Sequence, residues 1–324
     1  MTVRVLVTGG AGFIGSHVSE RLVERGDKVV IVDSFDPFYD PDVKRRNIAS
    51  LIDGDRAVLV EADIIDLESV DAALGDRGID AIIHLAARAG VRPSLERPLD
   101  YARTNVEGTT SILELARRRG VHRFVFGSSS SVYGDATPVP FRENEPAADP
   151  ISPYAATKRA GELLCRSYAH LYGITIACVR LFTVYGPRQR PDLAIHRFAQ
   201  LMSRGEPIPF FGDGSSERDY TYVADIVQGI EGALDWTEVS EPGSFEIVNL
   251  GESETTSLSR LVEIISSELG VTPTLNSMPP QPGDVQRTFA SIEKARALLG
   301  YAPSTSIEAG IARFVEWFRA QQQS

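Results

Sequence analysis

Cysteine is scarce in this chain, whose 324 residues include only Cys165 and Cys178. Two thiols in a chain of this length make no disulfide framework, so we expect a reducing compartment, the cytoplasm. The first residues, MTVRVLV, lack the basic region, apolar core and cleavage site of a secretory signal. Because no stretch approaches the roughly 20 apolar residues that span a bilayer, the sequence predicts no membrane partner.

Positive charge is also in short supply. The chain has 33 lysines and arginines against 44 aspartates and glutamates, which gives a formal net charge of −11. This balance argues against a protein that holds nucleic acid on a basic face, although a local positive field still permits an anionic small ligand. The five histidines show no metal-ligand spacing, so the sequence predicts no metal site.

The chain does contain a regular alternation of short apolar runs and helical patterns. Six runs have the length and composition of buried strands, namely Val3–Val7, Lys28–Val32, Ala57–Val60, Asp80–Leu85, His122–Gly127 and Ile174–Leu181. Long helical patterns cover Leu99–Arg118 and Pro153–Tyr172. Buried strands that alternate with helices are typical of a parallel sheet covered on both faces. The sequence therefore predicts an α/β fold with a doubly wound parallel sheet.

The texture of the sequence changes near Tyr185, where prolines and glycines cluster and the elements become shorter. We therefore predict a dinucleotide-binding domain over residues 1–181 and a smaller substrate-binding lobe over residues 182–324. The apolar run Phe245–Leu250 is a candidate late strand that returns to the main sheet. The two lobes are then partly interleaved.

A glycine-rich turn follows the first strand in the segment TGGAGFIG. Gly9, Gly12 and Gly15 permit a tight strand-to-helix turn, and the free N–H groups of the following helix then face a pyrophosphate. Asp33 ends the next strand, 18 residues after Gly15. Its carboxylate accepts hydrogen bonds from ribose hydroxyls and repels a 2′-phosphate, so NAD is favoured over NADP.

Further cofactor contacts are expected where the other strands end. Asp63 follows the third strand, and Leu85 begins a short run after the fourth. Ligands of doubly wound folds bind at such carboxyl ends. We add to the predicted NAD-binding set Phe13, Ile14, Asp63, Ile64, Leu85, Ala86, Ala87, Asn105, Tyr154 and Lys158.

Tyr154 and Lys158 have the spacing that places two side chains on one face of a helix. A nearby ammonium lowers the pKa of a phenol, so the tyrosine becomes able to take a proton from a sugar hydroxyl. The serine run Ser128–Ser131 follows the fifth strand and offers a hydroxyl that holds the reacting oxygen. Turn chemistry explains the other serines of the run equally well.

The segments TGGAGFIG, SSSSVYG and YAATK resemble the extended short-chain dehydrogenase/reductase family of nucleotide-sugar enzymes. This resemblance covers nearly the whole chain and implies a Rossmann fold and bound NAD. It implies that Ser129, Tyr154 and Lys158 are the catalytic trio. In the family's epimerases a hydride leaves C4, the 4-keto sugar rotates, and the hydride returns to the other face. The two long helices imply a homodimer.

The resemblance also bears on the branch of the family. Dehydratases and decarboxylases of this family carry an acid just after the catalytic hydroxyl, where this chain has Ser130 and Ser131. Epimerisation needs no such acid. Four segments look like the branch that acts on UDP-glucuronate: DSFDPFYDPDVK, RAGVRPSLERP, LFTVYGPRQRPD and PPQPGDVQRT. The alternatives left open are UDP-glucose or UDP-N-acetylglucosamine epimerisation and, less favoured, decarboxylation or dehydration.

The same resemblance implies a set of residues that bind a UDP-sugar. Arg190 is a candidate for the substrate carboxylate or a phosphate, because a guanidinium matches either anion. Arg218 resembles the family's phosphate-binding arginine, and Asp284 resembles the acid that closes the uridine site. One departure is Arg88, where the UDP-glucuronate branch implies Gln. The predicted substrate set is Ser129, Ser130, Tyr154, Thr183, Arg190, Arg218 and Asp284.

Overall fold

The computed structural model describes residues 2–54, 56–279 and 286–322. Strands of the central sheet and of the C-terminal half are β1 Arg4–Thr8, β2 Lys28–Asp33, β3 Ala57–Glu61, β4 Ala81–His84, β5 Arg123–Ser129, β6 Thr175–Leu181, β7 Thr183–Tyr185, β8 Ile208–Phe211, β9 Glu217–Arg218, β10 Tyr220–Tyr222, β11 Phe245–Leu250, β12 Thr256–Ser257 and β13 Leu275–Met278. The predicted strands agree with β1–β6 to within about two residues at each end.

Helices connect these strands throughout the described chain. They are α1 Phe13–Glu24, α2 Pro41–Ile52, α3 Leu67–Leu74, α4 Val91–Glu96, α5 Pro98–Ala102, α6 Gly108–Arg119, α7 Pro153–Tyr172, α8 Ala194–Ser203, α9 Val223–Val239, α10 Leu258–Leu269, α11 Glu293–Leu299 and α12 Ile307–Gln322. A π-helical turn, Arg103–Glu107, joins α5 to α6, and a 3₁₀ turn, Ser130–Tyr133, follows β5. Among the described residues no helix is long and apolar enough to cross a membrane.

The main sheet has the strand order β11-β6-β5-β4-β1-β2-β3, and each neighbouring pair is parallel. The apolar side chains of β1 and β4 are fully buried because helices cover both faces of the sheet. The strand order changes direction between β1 and β4, since β2 and β3 follow on one side of β1 and β4, β5 and β6 on the other. This switch point opens a crevice outside the carboxyl ends of β1 and β4. The predicted doubly wound α/β fold is therefore confirmed.

The C-terminal half is built from smaller pieces. Paired strands β7 with β10, β8 with β13, and β9 with β12 form short sheets within the described residues. Strand β11 returns to the main sheet and pairs with β6 along its full length, from Phe245 opposite Ile176 to Leu250 opposite Leu181. The chain of this half thus leaves the sheet, re-enters it and leaves again.

Helix α7 packs closely against strand β5 of the sheet. Ser152 caps its first turn by accepting a hydrogen bond from the Ala155 N–H at 3.2 Å, and Pro153 occupies the favoured first position. A Cβ atom at Gly161 would lie 2.4 Å from the Phe126 ring on β5, so only glycine allows this approach. The close packing places the start of α7 beside the end of β5.

Candidate active site

A cleft of about 370 Å³ opens where the strands of the main sheet end. It gathers residues that are far apart in the sequence, from the loops after β1, β2, β3, β4, β5 and β6. Residues of the predicted sets that line it are Gly9, Gly12, Phe13, Ile14, Gly15, Asp33, Asp63, Ile64, Leu85, Ala86, Ala87, Ser129, Tyr154, Lys158, Thr183 and Arg190. Most of the predicted site residues therefore share one cavity.

The glycine turn forms the floor of one end of this cleft. Gly9 has a φ of +68°, and a Cβ atom there would lie 2.8 Å from the backbone of Ala86. A Cβ atom at Gly15 would lie 2.1 Å from the carbonyl oxygen of Gly9. Glycine is therefore required at both positions by sterics. Gly12 is the N-cap of α1, so the first N–H groups of this helix face the cleft and suit a phosphate.

Asp33 lies beside the glycine turn at the end of β2. Its carboxylate accepts hydrogen bonds from the N–H groups of Ala11 at 3.2 Å and Phe35 at 2.9 Å. The ammonium of Lys44 is 3.6 Å from the same carboxylate, and Lys44 also lines the cleft. The acid is thus held in place with its charge partly balanced, next to where a ribose attached to a pyrophosphate would lie.

Asn105 is placed behind the cleft wall rather than on it. Its side chain accepts from the Arg88 N–H at 2.8 Å and donates to the Arg88 carbonyl at 3.0 Å and to Thr157 at 3.0 Å. These bonds join the π-helical turn to the loop after β4 and to α7. Asn105 therefore orients the loop that lines the cleft, and within the described structure its amide atoms are occupied by protein partners.

Tyr154 and Lys158 occupy the first turns of α7 and face the same end of the cleft as the serine run. Ser129 and Tyr154 both line the cleft, close enough for the Ser129 hydroxyl to affect the pKa of Tyr154, while the Lys158 ammonium donates to the Gly127 carbonyl at 2.7 Å. Burial raises the pKa of Tyr154, against the opposing effects of the Ser129 hydrogen bond and the Arg190 charge. Burial lowers the pKa of Lys158 to about 8.

A second positive charge, that of Arg190, also acts on Tyr154, although the spacing of Tyr154 and Lys158 gives no sign of it. Arg190 lies at the mouth of the cleft, where its guanidinium stacks 5.2 Å from the Phe38 ring and donates to the Ala89 carbonyl at 3.3 Å. It also pairs with Asp192 at 2.7 Å. An anionic ligand at Arg190 must therefore compete with a carboxylate of the same loop.

A second, smaller cavity of about 120 Å³ adjoins this region. Ser130 and Arg218 line it together with Ser131 and Thr288, and Thr183 lines both cavities. Arg218 donates to the carbonyls of Glu217 at 2.9 Å and Gln286 at 3.4 Å. The predicted substrate residues are therefore divided between two adjoining spaces. Asp284 lies outside the described residues.

Sequence reasoning missed several residues of the cleft. Lys44 and Phe38 lie in the segment DSFDPFYDPDVK, whose mixture of aromatic and charged residues was the available signal. Arg88 pairs with Asp36 at 2.6 Å across the cleft mouth, and no spacing rule connects residues 52 positions apart. Asp192 follows Arg190 by two residues, and this closeness in the sequence could have indicated the ion pair between them.

The sequence matches the model of the NAD dependent epimerase/dehydratase family over residues 5–251, and the chain belongs to that family. It is 41% identical to a UDP-glucuronate 4-epimerase of Thermodesulfobacterium geofontis over 96% of this chain and 95% of that protein. The family predicted from the motifs is therefore confirmed, and the family's dependence on NAD agrees with the cofactor predicted from the glycine turn.

Solved structures show the same likeness. A UDP-glucuronic acid 4-epimerase from Bacillus cereus, in complex with UDP-glucuronic acid and NAD, superposes with a TM-score of 0.90 at 36% identity, covering 98% of this chain and all of that one. A UDP-glucose 4-epimerase from Thermotoga maritima, with UDP-glucose, superposes with a TM-score of 0.89 at 33% identity, covering 99% and 100%. Both leading sugar alternatives are thus represented among similar folds.

The position of Asp33 predicts the cofactor preference. We expect Asp33→Asn to lower the ratio of NAD affinity to NADP affinity at least roughly tenfold, because the charge that repels a 2′-phosphate is lost while Lys44 remains. Titration calorimetry with both cofactors measures this ratio. Glu61→Gln, an exposed acid at the end of the neighbouring strand, is the matched control. An unchanged ratio in Asp33→Asn would contradict the assignment.

Proposed function

We propose that this protein is an NAD-dependent epimerase that interconverts UDP-glucuronate and UDP-galacturonate through a transient 4-keto sugar. One observation carries the proposal: Ser129, Tyr154 and Lys158 line the same cleft as the glycine turn and Asp33. A proton acceptor for a sugar hydroxyl is thus combined with a site shaped for a dinucleotide. The likeness to the Bacillus cereus enzyme supports this choice of sugar.

Ser129, Tyr154 and Lys158 have distinct parts in the proposed chemistry. NAD, when bound, supplies a reversible acceptor for the C4 hydride. Tyr154 as phenolate takes the proton of the C4 hydroxyl, and Ser129 holds that oxygen in place. Lys158 contributes positive charge that favours the phenolate. After the keto sugar has rotated in the site, Tyr154 returns the proton to the C4 oxygen while the hydride returns to the other face of C4.

The remaining residues divide between cofactor and substrate. We assign residues 1–181, together with strand β11, to NAD, with the glycine turn on the pyrophosphate and Asp33 on the ribose. We assign the rest of residues 182–324 to the UDP-sugar, with Arg218 on the diphosphate and Thr183 and Ser130 near the sugar. The N-cap of α1 at Gly12 supports the cofactor half of this division, since the first N–H groups of a helix have no partner within the helix and suit a phosphate.

The serine run supports epimerisation over elimination. Ser129 and Ser131 share a hydrogen bond of 3.2 Å, and the Ser131 N–H donates to Ser129 at 3.2 Å. The segment therefore presents hydroxyls and no carboxylic acid where a lyase needs a proton donor. Ser130 and Ser131, in the 3₁₀ turn after β5, are part of the wall of the smaller cavity.

A second candidate is the C4 epimerisation of UDP-glucose or UDP-N-acetylglucosamine. The ion pair between Arg190 and Asp192 favours it, because this arginine is already neutralised at the cleft mouth. A neutral hexose requires no displacement of Asp192, whereas a glucuronate carboxylate competes with it. The preference for one sugar over the other therefore depends on whether the ion pair between Arg190 and Asp192 breaks when the substrate binds.

The experiment that tests the function is a panel of UDP-sugars, with the products identified by NMR. We expect UDP-glucuronate to give its 4-epimer, without release of carbon dioxide or water. Protein assayed as purified shows whether NAD accompanies it. No turnover of UDP-glucuronate alongside turnover of a neutral UDP-hexose would replace the proposal by the second candidate, and either by-product would favour a lyase.

Tyr154→Phe removes the proton acceptor and keeps the ring. We expect at least a roughly 100-fold loss of turnover, the usual scale for a positioned acid–base group. Retained NAD and an unchanged melting temperature show that the variant is folded. Ser167→Ala, an exposed change on the same helix, is the control. Undiminished turnover in Tyr154→Phe would overturn the proposed chemistry.

Arg190→Ala tests which anion this guanidinium binds. If it binds the carboxylate, kcat/KM falls more for UDP-glucuronate than for a neutral UDP-hexose, and we expect a difference of about tenfold. The measurement compares kcat/KM for both sugars in the same variant. Equal losses would assign Arg190 to the diphosphate instead.

We propose that the protein forms a homodimer through its two long helices. Three leucines on adjoining helices, Leu95, Leu99 and Leu163, are 49%, 83% and 53% exposed. Apolar side chains grouped in this way are typical of an interface. Leu163→Arg should convert a sedimenting dimer to monomer, whereas Val239→Arg, at a more exposed apolar site on α9, should not. A wild-type monomer at micromolar concentration contradicts the proposal.

We propose that the protein works in the cytoplasm, as its thiols indicate. Cys165 and Cys178 are both buried and free. Free thiols are typical of proteins in a reducing compartment. Fractionation of cells that express the protein tests this placement, and recovery in a secreted fraction would contradict it.

A further inference from the structure

Glu162 is a carboxylate inside the protein that the proposed chemistry does not use. It lies on α7 one turn after Lys158 and two turns after Tyr154, and its side chain is 0% exposed. A charge at such a depth is costly unless partners compensate it. The partners of Glu162 therefore indicate what the charge is for.

Three side chains surround this carboxylate. Arg180 on β6, itself 1% exposed, contacts both oxygens, at 2.8 Å and 2.9 Å. Arg159 donates at 2.9 Å, and the Ser128 hydroxyl donates at 2.6 Å. These hydrogen bonds lower the pKa of Glu162 against the opposing effect of burial, so the group stays ionised.

The contact with Ser128 connects Glu162 to the reacting groups. On α7, Lys158 donates to the carbonyl of Gly127, and Glu162 accepts from Ser128, the next residue of β5. Two successive turns of the helix thus hold two successive residues of the strand. The residue after Ser128 is Ser129, which lines the cleft together with Tyr154 and lowers the pKa of that phenol.

Arg180 extends the same network away from the cleft. Its guanidinium lies 4.6 Å from the Tyr133 ring, and the Tyr133 hydroxyl donates to Asn249 on β11 at 2.7 Å. The ion pair therefore joins α7 to β5 and β6 and, through Tyr133, to β11. Because several elements hold the Glu162–Arg180 ion pair, it is well suited to fix the distance between α7 and β5.

We propose that Glu162, held by Arg180, is a positioning residue that sets the place of Ser129 relative to Tyr154 and maintains the charged form of Lys158. This inference rests on the proposed function, because it assigns the two residues of α7 their catalytic parts. Glu162 itself contacts neither the sugar nor the cofactor site.

The charges around Lys158 determine the sign of the expected effect. Burial lowers the pKa of Lys158, and both Cys165 and Glu162 on the same helix act in the opposite direction. On β4, His84 is neutral, since burial and then the Lys158 charge lower its pKa to about 3. On β6, burial raises the pKa of Cys178, so this thiol is neutral and Arg180 supplies the charge.

Removing the negative charge of Glu162 therefore leaves the positive charges of Arg159 and Arg180 uncompensated near Lys158. Arg190 faces Tyr154 from the other side of the cleft. Both Tyr154 and Lys158 then lose their protons more readily. The bell-shaped dependence of kcat on pH should move to lower pH as a whole.

The experiment compares three variants across pH. Glu162→Gln keeps an acceptor for Ser128 and loses the charge, so we expect the optimum to fall by about one pH unit and kcat at pH 7 to fall at least roughly tenfold. Glu162→Asp keeps the charge and shortens the side chain, so the pH optimum should equal that of the wild type while kcat stays low. Ser128→Ala removes only the link to β5, so kcat should fall without a pH shift.

The matched control is Glu231→Gln on α9. Glu231 pairs with Arg21 at 2.9 Å and with Arg25 at 3.5 Å and is 16% exposed, but it lies away from the serine run and from α7. This variant should keep the wild-type profile. A purely structural Glu162 would lower stability in all its variants and leave every pH optimum where it was, which would overturn the proposal.

A second readout needs no turnover. Ultraviolet absorbance of the Tyr154 phenolate, with Tyr154→Phe as the blank, gives the midpoint of its ionisation in the NAD-loaded protein. A lower midpoint in Glu162→Gln supports the inference even if the sugar substrate is misassigned, and an unchanged midpoint in this folded variant rejects it. If Glu162→Gln does not fold because Arg180 is left unpaired, the kcat values of Glu162→Asp and Ser128→Ala test the inference instead. Wild-type kcat in both of these rejects the inference.

Discussion

The close packing of α7 on β5 is the contact on which the rest of the site depends. Gly161 brings the helix against the Phe126 ring, and Lys158 and Glu162 then reach Gly127 and Ser128 on the strand. A larger residue at the glycine would push the helix outward, and both polar contacts would lengthen together. The separation of Tyr154 from the serine run is thus determined by an apolar contact two turns further along the helix.

The site resolves an apparent conflict between a net charge of −11 and a ligand rich in phosphate. Positive potential is local: the N-terminus of α1 faces one end of the cleft, while Arg190, in the loop after β7, and Arg218, on β9, line the two cavities elsewhere. Arg190 also carries its own counter-ion, Asp192. Such a pair keeps a buried guanidinium stable before an anion arrives, because the charge is never left uncompensated.

Thr183 has a central place in this arrangement, because it lines both the large cleft and the smaller cavity beside Arg218. It begins strand β7, two residues after β6 of the main sheet ends at Leu181. The junction between the two parts of the chain is therefore also the junction between the two cavities. A nucleotide sugar that reaches from Arg218 to Tyr154 has to pass this residue, which relates the interleaved fold to the shape of the proposed substrate.

The sequence alone determined the features that depend on neighbours along the chain. The apolar runs predicted the sheet, steric demand explains Gly9 and Gly15, and helical spacing put Tyr154 and Lys158 on one face. Tertiary structure decided that Asn105 lies behind the cleft wall and that Glu162 meets Ser128 and Arg180. Those contacts join residues 17 to 34 positions apart, and no periodicity encodes them. They arise only when crossover connections bring separate strands and helices side by side.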